Sequence, residues 1–387
     1  MTSPDSLDSS PLKTAGWAFF LGASWTWCIG MFFPVLLIRE FGLWGWIVFA
    51  LPNVIGSAIA GSVMRSADRS RKLLSQHTPA TLLFSVVTIA FHVFFVGWKL
   101  RPLIGIGPAT AVFLLAGLLY AIGGNRRDLL IAAIAIGLSL VAMGIALTQP
   151  LENGTMFSRA DPSPGLIALA PVCLIGFFLC PYLDLTYHRA RQHTEAAAGA
   201  RAFQFGFFGP FFLMILFTLL YATWLDHGSP NRVLQWAIGG HMVVQIALTL
   251  AFHLRSAMDA TAQQHKSLRT LLPAGMLIGL GLALLTVRFP VLASHDVGET
   301  IYLCFMGAYG ALFPAYVLLC MIPAAQKTPL APDRAAWGRV ILVTALVFPC
   351  YWLGLIEHRT WWLLVGALIL LISRKILSAK SASRALT

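Results

Sequence analysis

An acidic residue follows a proline inside an apolar stretch, and this arrangement is the one most suited to chemistry. Asp184 lies just beyond Pro181, whose ring and missing N–H predict a kink or an opening in the helix. A carboxylate within a bilayer is costly unless it is paired. Asp184 is therefore a candidate for ion coupling, or for a gate in which it pairs with Arg189 or Arg191. The alternative is an ordinary proline kink, with Asp184 and His188 at the cytoplasmic boundary.

Two polar side chains share a helix face in another apolar stretch. His241 and Gln245 have the i, i+4 spacing that places side chains one turn apart. They are a proton-titrating pair, or substrate ligands, or hydrogen-bonding contacts between helices. Asn53, which follows Pro52, has the same two interpretations.

The elements that position these residues are membrane helices. The chain has 387 residues, of which 58% are hydrophobic and 11% are charged. Apolar runs of about twenty residues recur along it, which is the length that crosses a bilayer. The fold class is therefore an all-α polytopic membrane protein, with membrane lipids around it. The formal charge of +12 is spread over short loops, as in the positive-inside pattern, so no nucleic-acid partner is expected.

Hydropathy and loop charge together predict about twelve transmembrane helices with both termini in the cytoplasm. The expected location is the inner (plasma) membrane. The predicted organisation is a cytoplasmic tail (1–14), a first group of five helices (15–148), an external loop (149–164), a second group of five (165–323), two additional helices (324–373) and a basic cytoplasmic tail (374–387).

Two of the predicted helices carry the pattern of a known family. One reads Gly176, then Cys180-Pro181-Tyr182-Leu183-Asp184, then an arginine-rich exit, and the other has polar and aromatic residues over 22–28. The chain thereby resembles the amino acid–polyamine–organocation superfamily with the LeuT-type fold, nearest the sodium:solute symporter family. The resemblance in detail covers roughly a quarter of the chain. It implies a five-plus-five inverted repeat with two further helices, and a substrate site between the two interrupted segments.

The resemblance and the polar residues together give a predicted site. Its gate or coupling residues are Asp184 and Arg189. The predicted substrate-binding residues are Gly22, Ser24, Trp25, Trp27, Asn53, Gly176, Cys180, Tyr182, His241, Gln245 and Tyr309.

The coupling ion is left open at this point. Sodium-coupled members of the resembled family carry adjacent small hydroxyl residues in the eighth helix. The corresponding segment of this chain (233–254) carries His241 and Gln245 instead. Coupling to Na+ or to H+ is therefore possible, and no other cofactor is expected.

The predicted function is secondary transport of a small organic solute by alternating access. Enzyme motifs such as a phosphate-binding glycine loop, HExxH or GxSxG are absent from the sequence, so no enzyme activity is expected. One alternative is a membrane sensor or scaffold with an unknown signalling partner. Another is a redox or metal protein ligated by His92, His241 and His253. These histidines form no HxxxH pair and the cysteines form no CxxC pair, so no metal site is expected.

Overall fold

The computed structural model describes residues 10–150, 164–227, 231–262, 265–322 and 332–384. Most of the predicted N-terminal tail (1–14), nearly all of the predicted external loop (149–164) and the last residues of the C-terminal tail lie outside this part of the chain. The predicted boundaries between the groups of helices remain predictions.

The described chain is almost entirely helical. The α-helices are α1 (Pro11–Ser24), α2 (Cys28–Val63), α3 (Ala67–Phe95), α4 (Arg101–Ile104), α5 (Ile106–Ile122), α6 (Asn125–Leu147), α7 (Pro164–Leu179), α8 (Leu185–Gln192), α9 (Ala196–Gly206), α10 (Phe212–His227), α11 (Arg232–Ala260), α12 (Leu271–Arg288), α13 (Val297–Gly307), α14 (Phe313–Tyr316), α15 (Arg334–Tyr351) and α16 (Trp361–Arg384).

Several of these helices are continued by short segments of another helical type. The π-helical segments are Val96–Leu100, Phe207–Phe211, Ala308–Leu312, Val317–Met321 and Trp352–Ile356, and the 3₁₀ segments are Cys180–Leu183 and Lys266–Thr270. Two short strands, β1 (Val291–Leu292) and β2 (His295–Asp296), pair antiparallel between α12 and α13.

Polar side chains placed just before the helices explain where many of them begin. Ser66 Oγ accepts from Arg69 N at the start of α3, and Asn231 Oδ1 accepts from Leu234 N at the start of α11. Asp184, Asp296 and Asp333 cap α8, α13 and α15 in the same way. Such caps satisfy backbone N–H groups that have no partner within the helix.

By length and composition, nine helices of the described residues can cross a membrane, and Ile106–Ile122 is a shorter apolar helix. Their apolar outer faces are typical of contact with lipid: Leu114 on α5 is 73% exposed and Leu277 on α12 is 68% exposed. The chain is therefore a multi-pass helical membrane protein. The count of about twelve and the inverted repeat remain predictions.

The longest of these helices, α2, turns back on itself. Gly42 has a φ of 63°, a left-handed conformation that glycine adopts readily. The rings of Phe33 and Phe49 lie 5.8 Å apart, whereas a straight helix would separate these residues by about 24 Å. The parts of α2 before and after Gly42 are thus an antiparallel pair.

The helices form a buried centre and a lipid-facing periphery. In the apolar window of the segment Ala67–Ile104, 83% of residues are buried, against 28% in Lys266–Arg288. Around this centre, α2 packs on α7 and α10, α1 packs on α9 and α6, and α11 packs on α5 and α6. The short helix α8 packs against both α3 and α11, and this places the residues that follow Pro181 inside the protein.

Candidate functional site

The first interruption lies between α1 and α2. The helix stops after Ser24 and resumes at Cys28, and the freed backbone groups find partners nearby. Thr26 Oγ1 donates to the carbonyl of Gly22 at 2.8 Å, and Ser24 Oγ donates to the carbonyl of Leu21 at 3.1 Å. Irregular backbone at this depth is tolerated because protein groups satisfy it.

The second interruption is the one predicted at Pro181. The α-helix α7 ends at Leu179 and a 3₁₀ turn follows. Asp184 then has extended backbone angles (φ −78°, ψ 114°), and α8 begins after it. A proline cannot donate to the preceding turn, so the chain leaves the helix at this point.

The two interruptions lie side by side. Thr186 Oγ1 on α8 is 3.2 Å from Ser24 Oγ at the end of α1. The rings of Trp25 and Tyr187 are 4.9 Å apart. The fold therefore brings together the two segments that the sequence singled out, although they are far apart in the chain.

A cleft opens beside this junction, between α2, α7, the segment 306–310 and the end of α15. It encloses about 570 Å³ of empty space, including its open mouth. Of the predicted substrate-binding residues, those that line it are Trp25, Trp27, Gly176, Cys180 and Tyr309. Lining residues that the sequence analysis did not select are Ile29, Phe33, Leu169, Val172, Cys173, Phe177, Met306, Gly310, Tyr351 and Leu355.

Most polar atoms of the side chains that line the cleft already form hydrogen bonds within the protein. Trp25 Nε1 donates to Asn53 Oδ1 at 2.8 Å, and Trp27 Nε1 donates to the carbonyl of Ser24. The Tyr309 hydroxyl is 2.8 Å from Thr88 Oγ1. These bonds fix the orientation of the rings, so the cleft is lined by ring surface more than by polar atoms.

One polar atom among the described lining residues forms no hydrogen bond. Among the described residues that line the cleft, the Tyr351 hydroxyl is the only buried side-chain oxygen or nitrogen without a hydrogen-bond partner. Burying a hydroxyl without a partner is costly, so this group is a candidate hydrogen-bond partner for a solute bound in the cleft.

The other predicted substrate-binding residues do not line the cleft. Asn53 contacts it only indirectly, by holding Trp25. The carbonyl of Tyr182 is 2.9 Å from His188 Nε2. A Cβ atom at Gly22 would lie 3.1 Å from the carbonyl of Gly206, so this glycine allows α1 to pack closely on α9. The hydroxyl of Ser24 is likewise directed to α1 and α8.

His241 and Gln245 also lie elsewhere. Both contact Ser139 on α6: His241 Nδ1 is 2.9 Å from Ser139 Oγ, and Gln245 Nε2 donates to the same oxygen at 2.8 Å. Their shared helix face was correctly inferred from the spacing, but that face is directed at α6. In this structure their hydrogen bonds connect α11 with α6.

The predicted gate pair of Asp184 with Arg189 is not formed. Arg189 lies 2.7 Å from Asp128 Oδ2 on α6, and its Nη2 donates to Asn125 at 2.9 Å. Asp184 precedes α8 and caps its first turn, whereas Arg189 lies within α8 and is directed at Asp128 on α6. Arg191, the other predicted partner, donates instead to the carbonyl of Arg65 at 2.9 Å.

Asp184 instead caps α8, the helix that begins directly after it. Its Oδ1 accepts from Thr186 N at 2.7 Å and lies 2.7 Å from Thr186 Oγ1. Its Oδ2 is buried without a hydrogen-bond partner among the described residues, 3.9 Å from His253 Nε2 on α11. The pairing of Asp184 with His253 was not foreseen, because a single sequence does not show which helices become neighbours.

The three histidines considered as metal or redox ligands lie against different partners. His92 Nδ1 is 2.7 Å from the carbonyl of Thr88, and His253 Nδ1 is 3.3 Å from Ser85 Oγ, while His241 contacts Ser139. Within the described ranges, no group of three or more His, Cys, Asp or Glu side chains is placed to hold a metal ion.

The comparisons with known proteins give a distant structural likeness. No protein-family model matches the sequence, and no curated protein matches it. The chain is similar in structure to the manganese transporter of Eremococcus coleocola, solved in complex with an aromatic bis-isothiourea substituted compound. The two share 15% sequence identity over 98% of this chain and 97% of the other, with a TM-score of 0.45.

Proposed function

We propose that this protein is a secondary transporter for a small neutral organic solute with an apolar or aromatic body. The observation that carries the proposal is the aromatic cleft beside two adjoining interrupted helices. Interrupted helices that meet near the middle of a membrane are a common way for transporters to build a substrate site.

The chemistry of the cleft supports a neutral solute. Its lining residues include tryptophans, phenylalanines and tyrosines but no charged side chain. A charged solute would lose its hydration without gaining a counter-charge, which is strongly unfavourable. Ring contacts with Trp25 and Trp27 would each contribute about 0.5–1.5 kcal/mol, and the free Tyr351 hydroxyl would bind one polar group of the solute.

The position of the cleft supports an outward-facing state. Basic loops place the start of α1 and the end of α8 on the cytoplasmic side by the positive-inside rule. The lining residues Phe33, Leu169 and Leu355 then belong to the outer halves of their helices. On the opposite side of the interruptions, Asp184, Tyr187 and Arg191 are buried. Alternating access would close the outer cleft and loosen α8.

The proposal includes the membrane and the coupling. The termini would lie in the cytoplasm of a cell whose inner (plasma) membrane holds the protein. Inward movement of solute against its gradient requires coupling to an ion, either Na+ or H+.

A ligand screen with a matched variant pair tests the solute class. Purified protein is heated in the presence of uncharged solutes (nucleobases, indoles, phenols, sugars) and charged ones (amino acids, carboxylates). A solute that binds the folded state at 100 times its Kd stabilises it by about 2.7 kcal/mol. We expect stabilisation by uncharged aromatic compounds. Tyr351→Phe should weaken binding of those carrying a polar group, whereas Tyr316→Phe, at a buried tyrosine outside the cleft, should not.

Uptake of a stabilising solute into liposomes containing the protein tests transport itself. Accumulation that depends on the protein supports the proposal. If the solute binds but does not cross the liposome membrane in either direction, the result would favour a sensory function over transport. Stabilisation by charged solutes alone would contradict the proposed solute class.

A further inference from the structure

A second, fully buried polar site lies on the cytoplasmic side of the cleft. Asp184 Oδ2 and His253 Nε2 are 3.9 Å apart, and both residues have 0% exposure. Neither atom has a hydrogen-bond partner among the described residues, although buried polar atoms are almost always paired. Two such atoms that face each other in this way indicate a missing shared ligand.

We propose that Asp184 and His253 form a proton-binding site, in which one proton from the aqueous phase is held between the carboxylate and the imidazole. The proposal rests on the transport function above and identifies its coupling ion as H+. Binding is reversible and changes no covalent bond: the site gains one positive charge with the proton and loses it when the proton leaves.

The geometry fits a proton better than a metal cation. A hydrogen bond between a charged donor and a carboxylate needs a separation of about 2.7–2.9 Å, so a movement of about 1 Å would close the pair. The present gap of 3.9 Å is too narrow for a water molecule or a hydrated ion to lie between the two atoms. Hard cations such as Na+ also require several oxygen ligands, whereas one side of this site is an imidazole nitrogen.

The site touches both ends of the first helix interruption. On one side, Thr186 Oγ1 lies between Asp184 Oδ1 and Ser24 Oγ, at 2.7 and 3.2 Å. On the other side, the ring of Trp27 is 5.2 Å from the ring of His253 in an edge-on arrangement. An imidazolium at this distance would be attracted to the indole. Since Trp27 lines the cleft, a proton at the site would alter the position of a solute-binding ring.

The surroundings provide no competing ion pair. Besides His253, the titratable side chains on which the charge of Asp184 acts are those of Cys180, Tyr187 and Tyr309. None of these is a cation, and among the described residues no Lys or Arg forms a salt bridge with Asp184.

The nearby basic groups are directed elsewhere. On α3, His92 lies near His253 but contacts the carbonyl of Thr88. On α8, His188 Nδ1 is 2.8 Å from Ser70 Oγ. Arg189 and Arg255 are both paired with Asp128. His253 is therefore the basic group that faces the free oxygen of Asp184.

Infrared difference spectroscopy of the protein in lipid vesicles tests this without any solute. Titration between about pH 5 and 8 should reveal a shifted carboxylate stretching band of Asp184 as His253 takes up the proton and pairs with it. This band should be absent from Asp184→Asn and present in Asp259→Asn, which changes an exposed acid of α11. His253→Gln should lose the band in this pH range, because the imidazole that takes up the proton is removed.

Two results would overturn the proposal: a band that persists in Asp184→Asn, or one that persists unchanged in His253→Gln. The second variant keeps Asp184 in place, so it decides the question even where Asp184→Asn fails to fold. A band change produced by Na+ at constant pH would show a metal-cation site instead. Because no solute is used, a negative result here leaves the solute screen and the uptake assay as independent tests of transport.

Discussion

Trp25 Nε1 donates a 2.8 Å hydrogen bond to Asn53 Oδ1. Trp25 lies in the loop between α1 and α2, and Asn53 lies in the part of α2 that follows Gly42. Both residues are buried, with exposures of 5% and 2%. The bond connects the first helix interruption to the helix that returns from Gly42. It thereby fixes the orientation of one of the two tryptophans that line the cleft.

Asn53→Leu should destabilise the protein by about 1–3 kcal/mol, because the indole N–H of Trp25 would remain buried without an acceptor. Trp25→Phe removes the donor itself. The double variant should therefore lose less stability than the sum of the two single variants, as expected for residues in direct contact. Reversible unfolding in detergent measures all three. Strict additivity would show that the bond contributes nothing.

The interruptions could be predicted from sequence because their cause is local. Pro181 breaks the hydrogen-bond ladder wherever its helix is packed, and the polar and aromatic residues around Ser24 mark a similar weakness. The helical class follows just as directly from apolar runs long enough to cross a bilayer. These features need no knowledge of neighbouring helices.

The orientation of each helix face could not be predicted in the same way. The spacing of His241 and Gln245 correctly placed them on one face, but only the packing of α11 on α6 directs that face to Ser139. The same limit applies to Asp184, whose facing residue is His253 and not Arg189. Tyr351 gave no signal at all, since an aromatic residue in an apolar helix is most often part of the core.

Ser139→Ala tests the structural role of His241 and Gln245. It removes the oxygen that both side chains contact, and we expect a loss of about 1 kcal/mol in stability with unchanged solute affinity. Ser256→Ala is the matched control, since the Ser256 hydroxyl is buried without a hydrogen-bond partner in the described structure. Its stability should stay near that of the unmodified protein. Weaker solute binding by Ser139→Ala would return His241 and Gln245 to the substrate site.

Gly176 offers a way to fill the cleft. A Cβ atom there would meet only the carbonyl of Tyr309, at an ordinary contact distance of 3.5 Å. Gly176→Ala should therefore fold normally and bind solute with little change. Gly176→Leu should place its side chain in the cleft and reduce solute affinity at least about tenfold, which corresponds to 1.4 kcal/mol.

The control for this substitution is Gly137→Leu on α6, where a Cβ atom meets nothing within 4 Å and the position is exposed. It adds the same side chain outside the cleft and should leave affinity unchanged. Thermal-shift titration measures both variants. Equal affinity in Gly176→Leu and the unmodified protein would place the solute somewhere else.

Asp128 balances two buried arginines, and its removal should be the most damaging of these changes. Arg189 lies 2.7 Å and Arg255 3.3 Å from its carboxylate oxygens, and the three side chains are between 1% and 10% exposed. Asp128→Asn leaves both guanidinium groups without their anion, so a loss of about 3–5 kcal/mol is expected. Adding Arg189→Met should recover part of that loss by removing one uncompensated charge.

Because this network holds α8 against α6 and α11, Asp128→Asn should also speed thiol labelling of Ala190→Cys, measured against the slow background of the native cysteines. Slow, unchanged labelling in a clearly destabilised protein would mean that the network supports the fold without closing the cytoplasmic side.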